Sequence, residues 1–215
     1  MIRKNPILFR LFDSQILQTL YDAEASKARF TGKNVTALRS FLLVKTKPGM
    51  EKEIQERFNP MPEVREIHLI TGKFDLLVAL ESEEIEIDPR RKIVELVIEK
   101  VRKSGGVVDT RTIIPIEYDL RPTKPADRPT TKGFVFIASE AGKANELMRK
   151  LLEVPEVRGV YMLIGKADVL AELEVEKSLI NPPPQHIADI VETRIAKMQP
   201  VHDTETYVPL ESMIK

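Results

Sequence analysis

The hydrophobic positions of the first half of the chain fall into two patterns, which predict four strands and two helices. Two runs, 41–44 and 76–80, are apolar on both faces of an extended chain, which is typical of central strands. Two other stretches carry apolar residues three or four positions apart, which is typical of helices packed on one side. The predicted elements, in order, are a strand at 39–45, a helix at 49–58, strands at 64–70 and 75–80, a helix at 89–104 and a strand at 107–116.

The order strand, helix, strand, strand, helix, strand predicts a ferredoxin-like α+β fold with both helices on one face of the sheet. The first and third strands are expected at its centre, because they are apolar on both faces. The second and fourth strands are expected at its edges. The fourth contains Pro115, which cannot donate a ladder hydrogen bond and therefore suits an edge.

The same pattern occurs twice in the chain. With Phe41 aligned to Phe134, the two halves stay in register for about sixty residues, and after a slip of one residue Asp109 matches Asp203. A repeat of about ninety residues has the size of a small domain. We therefore expect a dimer built into one polypeptide. Its predicted parts are an N-terminal helical segment (1–37), a first repeat (38–119), a proline-rich linker (120–131) and a second repeat (132–215).

Two helices cover only one face of each predicted sheet. The other face presents apolar residues, for example Leu76 and Val78 or their strand neighbours. An apolar patch of that size requires a cover, and the second repeat supplies one. We therefore expect the two sheets to pack face to face.

Composition narrows the functional classes. Lys and Arg number 33, and Asp and Glu also number 33, so no net charge directs the protein to nucleic acid or a membrane. The absence of cysteine excludes disulfides, thiolate catalysis and cysteine-ligated zinc. The N-terminus has no signal-peptide pattern, so we expect a cytoplasmic protein. Abundant Glu, Lys, Ile and Val without cysteine are typical of a thermophilic, for example archaeal, source.

Two short motifs in each repeat resemble the ligand-binding domain of the Lrp/AsnC transcription regulators. A Gly-x-x-Asp turn opens the third strand at 72–75 and again at 165–168. An Asp-Thr-x-Thr sequence lies in the last strand at 109–112 and again at 203–206. The resemblance covers about residues 38–118 and 131–211. It implies domains that pair through their sheets, assemble into homo-oligomers and bind small effectors, typically amino acids, between neighbouring domains, without a further cofactor.

The resemblance implies that the ligand lies near the Gly-x-x-Asp turns. A glycine turn exposes backbone N–H groups that hold a carboxylate, and a nearby aspartate holds an ammonium group. The same motif is also ordinary turn chemistry, and threonines are ordinary strand residues. The predicted ligand-binding residues are Gly72, Asp75, Gly165 and Asp168 at the turns, with Thr110, Thr112, Thr204 and Thr206 on the last strands.

Full-length regulators of this kind carry an N-terminal helix-turn-helix domain, whose second helix enters the major groove of DNA. The segment 1–37 predicts a single packing or oligomerisation helix instead. We therefore expect no direct contact with nucleic acid or membrane, and we expect co-assembly with full-length regulators as a route to function.

We also expect that the chain is not an enzyme and binds no metal. It contains no phosphate-binding loop, no nucleophile elbow and no clustered His and Glu at metal-ligand spacing. The alternative is an enzyme of the dimeric α+β-barrel kind, for example one that handles haem or another tetrapyrrole, because the same architecture serves catalysis. The histidines available to such an enzyme are His68, His186 and His202.

Overall fold

The computed structural model describes residues 37–83, 88–121, 129–178 and 182–215. The helix predicted within 1–37 and most of the predicted linker lie outside these residues. In the part of the chain that is described, no helix is long and apolar enough to cross a membrane.

Each repeat forms the predicted succession of strands and helices. The first repeat contains β1 (Ala37–Thr46), α1 (Glu51–Phe58), β2 (Val64–Leu69), β3 (Leu76–Glu83), α2 (Pro89–Leu96) and β4 (Val107–Ile113), followed by a short strand β5 (Glu117–Leu120). The second repeat contains β6 (Thr130–Ser139), α3 (Ala144–Leu152), β7 (Val157–Met162), β8 (Val169–Glu176), α4 (Pro183–Ile190) and β9 (Val201–Tyr207), followed by β10 (Glu211–Ile214). Both α2 and α4 continue into a wider π-helical turn, Val97–Val101 and Val191–Ile195 respectively.

The start of α2 shows how local sequence sets an element boundary. The side chain of Asp88 accepts a hydrogen bond from the backbone N–H of Arg91 at 3.0 Å. Pro89 follows as the first helical residue, where its missing N–H costs nothing. The predicted N-cap is therefore present.

The strands form two antiparallel five-stranded sheets, in the orders β10-β2-β3-β1-β4 and β5-β7-β8-β6-β9. As predicted, the first and third strands of each repeat are central. The expectation that the second strand lies at an edge is wrong, because β10 of the second repeat pairs with β2, and β5 of the first repeat pairs with β7. These added strands are only four residues long, and each pairs with the opposite repeat, so the local pattern does not reveal them.

The sheets pack face to face, as predicted, between two outer layers of helices. A separate apolar core lies between each sheet and its helices. Leu76 and Val78 belong to this helix-side core, whereas their neighbours Leu77 and Ala79 face the opposite sheet. The core between the sheets is aromatic: Phe41 and Phe134, from different repeats, are fully buried, and their ring centroids are 6.3 Å apart. Burial of such rings contributes most of the contact energy between the repeats.

Candidate functional site

The two Gly-x-x-Asp motifs form equivalent turns before β3 and β8. Gly72 has a φ of 120° and Gly165 a φ of 132°, in the left-handed region that side-chain-bearing residues avoid. Each turn is closed by a backbone hydrogen bond to the aspartate carbonyl, at 2.9 Å for Asp75 and 2.8 Å for Asp168. The motif residues therefore lie together in each repeat, as the sequence predicts.

The aspartate side chains of these turns are engaged within their own repeat. Asp75 accepts a hydrogen bond from the backbone N–H of Thr46 at 2.7 Å and another from Lys45 Nζ at 3.0 Å. Asp168 likewise accepts from the backbone N–H of Ser139 at 2.7 Å. The two backbone donors, Thr46 and Ser139, lie at the register shifts in the pairing of β1 with β4 and of β6 with β9. Partial burial raises the pKa of Asp75, but the bonds from Thr46 and Lys45 outweigh it and hold that pKa below its usual value.

The threonines predicted as ligands lie on the helix side of the last strands, away from the face between the sheets. Successive strand residues alternate in direction, and Ile113, one residue beyond Thr112, points into the core between the sheets. Thr110 is buried and accepts a hydrogen bond from Arg102 Nε at 2.9 Å. By the same alternation, the side chains of Thr204 and Thr206 point to the face of β9 that is opposite to the face of Tyr207. The structure therefore does not bring the threonines to the inner side of the turns.

An open cleft does lie beside the second turn, at the junction of the two repeats. We call it the turn cleft, and it is lined by Arg111, Phe136, Ala138, Lys166, Ala167, Asp203 and Glu205. Arg111 comes from the first repeat and stands over the Phe136 ring, 6.0 Å from its centroid. Glu205 accepts a hydrogen bond from the Tyr207 hydroxyl at 2.6 Å. Burial and Glu205 together raise the pKa of Tyr207, which keeps it a hydrogen-bond donor.

The turn cleft therefore presents two cations and two carboxylates above an apolar floor. This arrangement can hold a ligand that carries an anionic and a cationic group a short distance apart. Arg111, Asp203 and Glu205 were not predicted from the sequence. Residues two positions apart on a strand share one face, and this rule would have placed two of them beside the core between the sheets. Arg111 lies two positions before the buried Ile113, and Glu205 lies two positions before the buried Tyr207.

The equivalent position in the first repeat is filled by an aromatic side chain. Phe74 corresponds to Ala167, and it is only 3% exposed in the core between the sheets. Lys73 Nζ lies 5.7 Å from the centroid of that ring. The two turns are therefore unequal, because a ring in the first repeat stands where the second repeat has a methyl group.

A second group of polar residues lies between the sheets at the other end of the central strands. We call it the inter-sheet cluster, and it consists of Arg39, Glu66, His68, Lys132, Tyr161 and Glu172. Lys132 bridges the two repeats, because its Nζ lies 2.8 Å from Glu66 Oε1 and 2.6 Å from Glu172 Oε1. Arg39 also contacts both carboxylates, at 2.9 Å and 3.2 Å.

The inter-sheet cluster holds the carboxylate of Glu66 ionised. Burial pushes the pKa of Glu66 upward, but the hydrogen bond to His68 and the charges of Arg39 and Lys132 pull it well below its usual range. The pKa of Lys132 is raised, since Glu172 and Glu66 outweigh its desolvation. Burial raises the pKa of the Tyr161 hydroxyl, which donates to Glu172 at 3.0 Å. The core between the sheets thus contains acid–base groups that the apolar pattern alone does not predict.

His68, the histidine considered as a haem ligand, is fully buried and both of its ring nitrogens are occupied. Nε2 lies 2.9 Å from Glu66 Oε2, and Nδ1 lies 2.8 Å from Ser212 Oγ. Its ring packs against Phe134 at 4.9 Å between centroids. No ring nitrogen is free to ligate an iron in this arrangement. Within the described ranges, no group of three His, Asp or Glu side chains has metal-site geometry.

Comparison with known proteins identifies both repeats. The Lrp/AsnC ligand binding domain matches residues 39–118 and 132–215. An uncharacterised HTH-type transcriptional regulator from Pyrococcus furiosus is 30% identical over 78 residues, and one from Pyrococcus horikoshii is 31% identical over 78 residues. Each match covers 35% of this chain and 49% of the relative, so the matched region spans about half the length of those regulators.

Among solved structures, the siroheme decarboxylase NirDL is similar over 93% of this chain and 81% of its own, with a TM-score of 0.60 and 11% sequence identity. At that identity the likeness concerns the fold. It nevertheless corrects our expectation that the chain is not an enzyme, since the paired α+β architecture is that of a catalytic protein. The absence of familiar motifs was not sufficient ground for that expectation, because one fold serves both catalytic and non-catalytic proteins.

Proposed function

Since the chain belongs to the Lrp/AsnC family and carries its ligand-binding domain twice, we propose that it binds a small zwitterionic metabolite in the turn cleft. An amino acid is the proposed ligand. We further propose that binding regulates its association with other proteins. The observation that carries the proposal is that two cations, Arg111 and Lys166, and two carboxylates, Asp203 and Glu205, line the same cleft.

The charges suit both ends of an amino acid. The guanidinium of Arg111 offers paired donors for a carboxylate, and Lys166 adds a second positive charge. Asp203 and Glu205 offer acceptors for the ammonium group. Phe136 and Ala167 form an apolar floor, which suits an aliphatic side chain. Because Arg111 belongs to the first repeat and the other charges to the second, a bound ligand would bridge the repeats.

The regulatory part of the proposal rests on the family. The curated relatives are HTH-type transcriptional regulators, and their matched halves correspond to the ligand-binding domain. We propose that this chain forms homo-oligomers and associates with full-length regulators of that kind. A ligand shifts such an assembly only if it binds one state more tightly than the other.

Thermal denaturation in the presence of each of the twenty amino acids tests the proposal. At a concentration one hundred times Kd, a ligand that binds only the folded state adds about 2.7 kcal/mol of stability. For a chain of this size, that corresponds to a rise in Tm of roughly 5–10 °C. Arg111→Ala should abolish the rise without unfolding the protein.

The chain offers a matched control for this experiment. Lys166 lies in the turn cleft, whereas Lys73 occupies the equivalent position beside the buried Phe74. Lys166→Ala should reduce the rise in Tm, and Lys73→Ala should leave it intact. Equal effects of the two substitutions, or no stabilisation by any amino acid, would refute the proposed site.

A further inference from the structure

A serine, a histidine and a glutamate form a continuous hydrogen-bonded row that runs from the edge strand of the first sheet into the space between the sheets. Ser212 Oγ lies 2.8 Å from His68 Nδ1, and His68 Nε2 lies 2.9 Å from Glu66 Oε2. Ser212 and His68 face each other directly on the paired strands β10 and β2. Ser212 is exposed on the edge strand, whereas His68 and Glu66 are buried behind it. Ser212 thus lies at the exposed end of the row, and the two groups that could activate its hydroxyl are shielded from water.

The surroundings of Glu66 fix the direction of these hydrogen bonds. Its carboxylate is held by Lys132 Nζ at 2.8 and 2.9 Å and by Arg39 at 2.9 Å, and these cations keep it ionised. An ionised carboxylate only accepts, so His68 Nε2 must carry a hydrogen and donate it. In the neutral imidazole, Nδ1 is then an acceptor, and the Ser212 hydroxyl donates to it. This is the ground-state arrangement of a nucleophile beside its general base.

The second repeat shows that the fold does not require this row. At the equivalent place, Tyr161 replaces His68, Gly159 replaces Glu66, and Tyr118 of β5 faces Tyr161 as Ser212 faces His68. The two tyrosine rings pack with centroids 5.7 Å apart. An aromatic pair therefore closes the second sheet where the first sheet places a hydroxyl, an imidazole and a carboxylate. In the second repeat a pair of tyrosines, one of which donates from the Tyr161 hydroxyl to Glu172, stands in place of the serine and the histidine.

From this geometry we propose that Ser212, His68 and Glu66 form a hydrolytic site for small carboxylic esters, with Ser212 as nucleophile, His68 as general base and Glu66 as the group that orients His68. The site is separate from the turn cleft and does not depend on the ligand proposed there. It also requires both repeats, because His68 and Glu66 belong to the first repeat, whereas Ser212 and Lys132, which holds Glu66, belong to the second.

The proposed reaction has two steps, acylation of Ser212 and hydrolysis of the acyl-serine. Ser212 Oγ attacks the ester carbonyl while His68 Nδ1 takes the hydroxyl proton. The C–O bond to the alcohol breaks, and the alcohol leaves with the proton that His68 returns. Water then attacks the acyl-serine and gives a proton to His68 Nδ1. The bond between the acyl carbon and Ser212 Oγ breaks, His68 returns the proton to Oγ, and the carboxylic acid leaves. Ionised Glu66 stabilises the imidazolium of His68 in both steps.

Labelling with a fluorophosphonate tests the assignment, because this reagent reports nucleophilic serines directly. The attack forms an O–P bond at Ser212 and expels fluoride, while the proton leaves through His68. We expect intact-mass analysis of the full chain to show one adduct, and peptide mapping to place it on Ser212. Ser212→Ala should remove it. His68→Gln should slow labelling about 100-fold or more, the range of general-base catalysis.

Ser104→Ala is the matched control, since the Ser104 hydroxyl accepts a hydrogen bond from Arg57 and has no base beside it. It should label like the unaltered chain. Because His68→Gln changes a buried residue, circular dichroism must show that this variant is folded, and Glu66→Gln provides a second variant expected to label slowly. Absence of an adduct, an adduct at other residues, or an equal labelling rate in folded His68→Gln and Glu66→Gln overturns the proposal.

Discussion

Phe74 and Ala167 occupy the same position in the two Gly-x-x-Asp turns, but Phe74 fills the space between the sheets and Ala167 leaves it open. Phe74 is 3% exposed and Ala167 is 7% exposed, and both belong to the core between the sheets, but the small side chain of Ala167 also lines the turn cleft. The first turn thus places an aromatic ring where the second turn has only a methyl group beside the turn cleft. The proposed stoichiometry is therefore one ligand per chain.

Filling the turn cleft should abolish ligand binding. In Ala167→Phe, the introduced ring is expected to occupy the cleft as Phe74 occupies the equivalent space, so the Tm rise produced by an amino acid should disappear. Isothermal titration calorimetry measures the same loss as a stoichiometry that falls from one to zero. Phe74→Leu is the control, because it keeps a buried apolar side chain at the sealed turn and should bind one ligand per chain. Binding that survives in Ala167→Phe would place the ligand elsewhere.

Removing the ring that seals the first turn should destabilise the pairing of the repeats. Phe74→Ala deletes a buried aromatic side chain and leaves a cavity between the sheets, for which a loss of about 3–5 kcal/mol is typical. Chemical denaturation with urea measures the change in the free energy of unfolding. Val108→Ala removes apolar atoms from a side chain that is 60% exposed, and it should change stability by less than about 0.5 kcal/mol. Similar losses in the two variants would contradict this view of Phe74.

Lys132 should contribute strongly to stability because it lies between two buried carboxylates. In Lys132→Met, Glu66 and Glu172 lose one of the two cations that they share and keep Arg39. The loss of one partner from a buried ion cluster costs about 3 kcal/mol or more. The control is Lys143→Met, whose pair with Glu146 is exposed and worth at most about 1 kcal/mol. Denaturant titration of both variants gives the comparison. A Lys132 variant as stable as the Lys143 variant would show that the cluster relaxes without its bridge.

Asp75 should make the stability of the protein dependent on pH in the acidic range. Its pKa is lower in the folded chain than its unfolded value of about 3.9, so its stabilising contribution is complete above that value and is lost as the pH falls through the folded-state pKa. Asp75→Asn keeps an acceptor for the Thr46 N–H but removes the charge. The difference in unfolding free energy between the two proteins should therefore be constant from pH 7 to about pH 5 and shrink below about pH 4. A difference that stays unchanged down to pH 3 would rule out this role for the carboxylate.

The local pattern was sufficient for much of the fold because strand and helix periods are properties of neighbouring residues. The capped start of α2 at Asp88 and Pro89 follows from the sequence, as do the central positions of β1 and β3. The edge positions of β2 and β7 were wrong, since β10 and β5 each come from the opposite repeat and leave no local trace. The predicted site was only partly assembled: the glycines and aspartates form the turns, but the threonines lie on the other face.

The sequence by itself determined the duplication, the family, the order of elements and the inequality of the two turns, because all of these follow from residue identity and short spacing. Only the tertiary structure decided which side chains meet across the two repeats. Arg111 reaches the second turn, Lys132 bridges Glu66 and Glu172, and Ser212 lies beside His68, which is 144 positions earlier in the chain. The physical reason is that these contacts depend on the packing of one sheet on another and on the exchange of edge strands, and neither is encoded in the periodicity of a single segment.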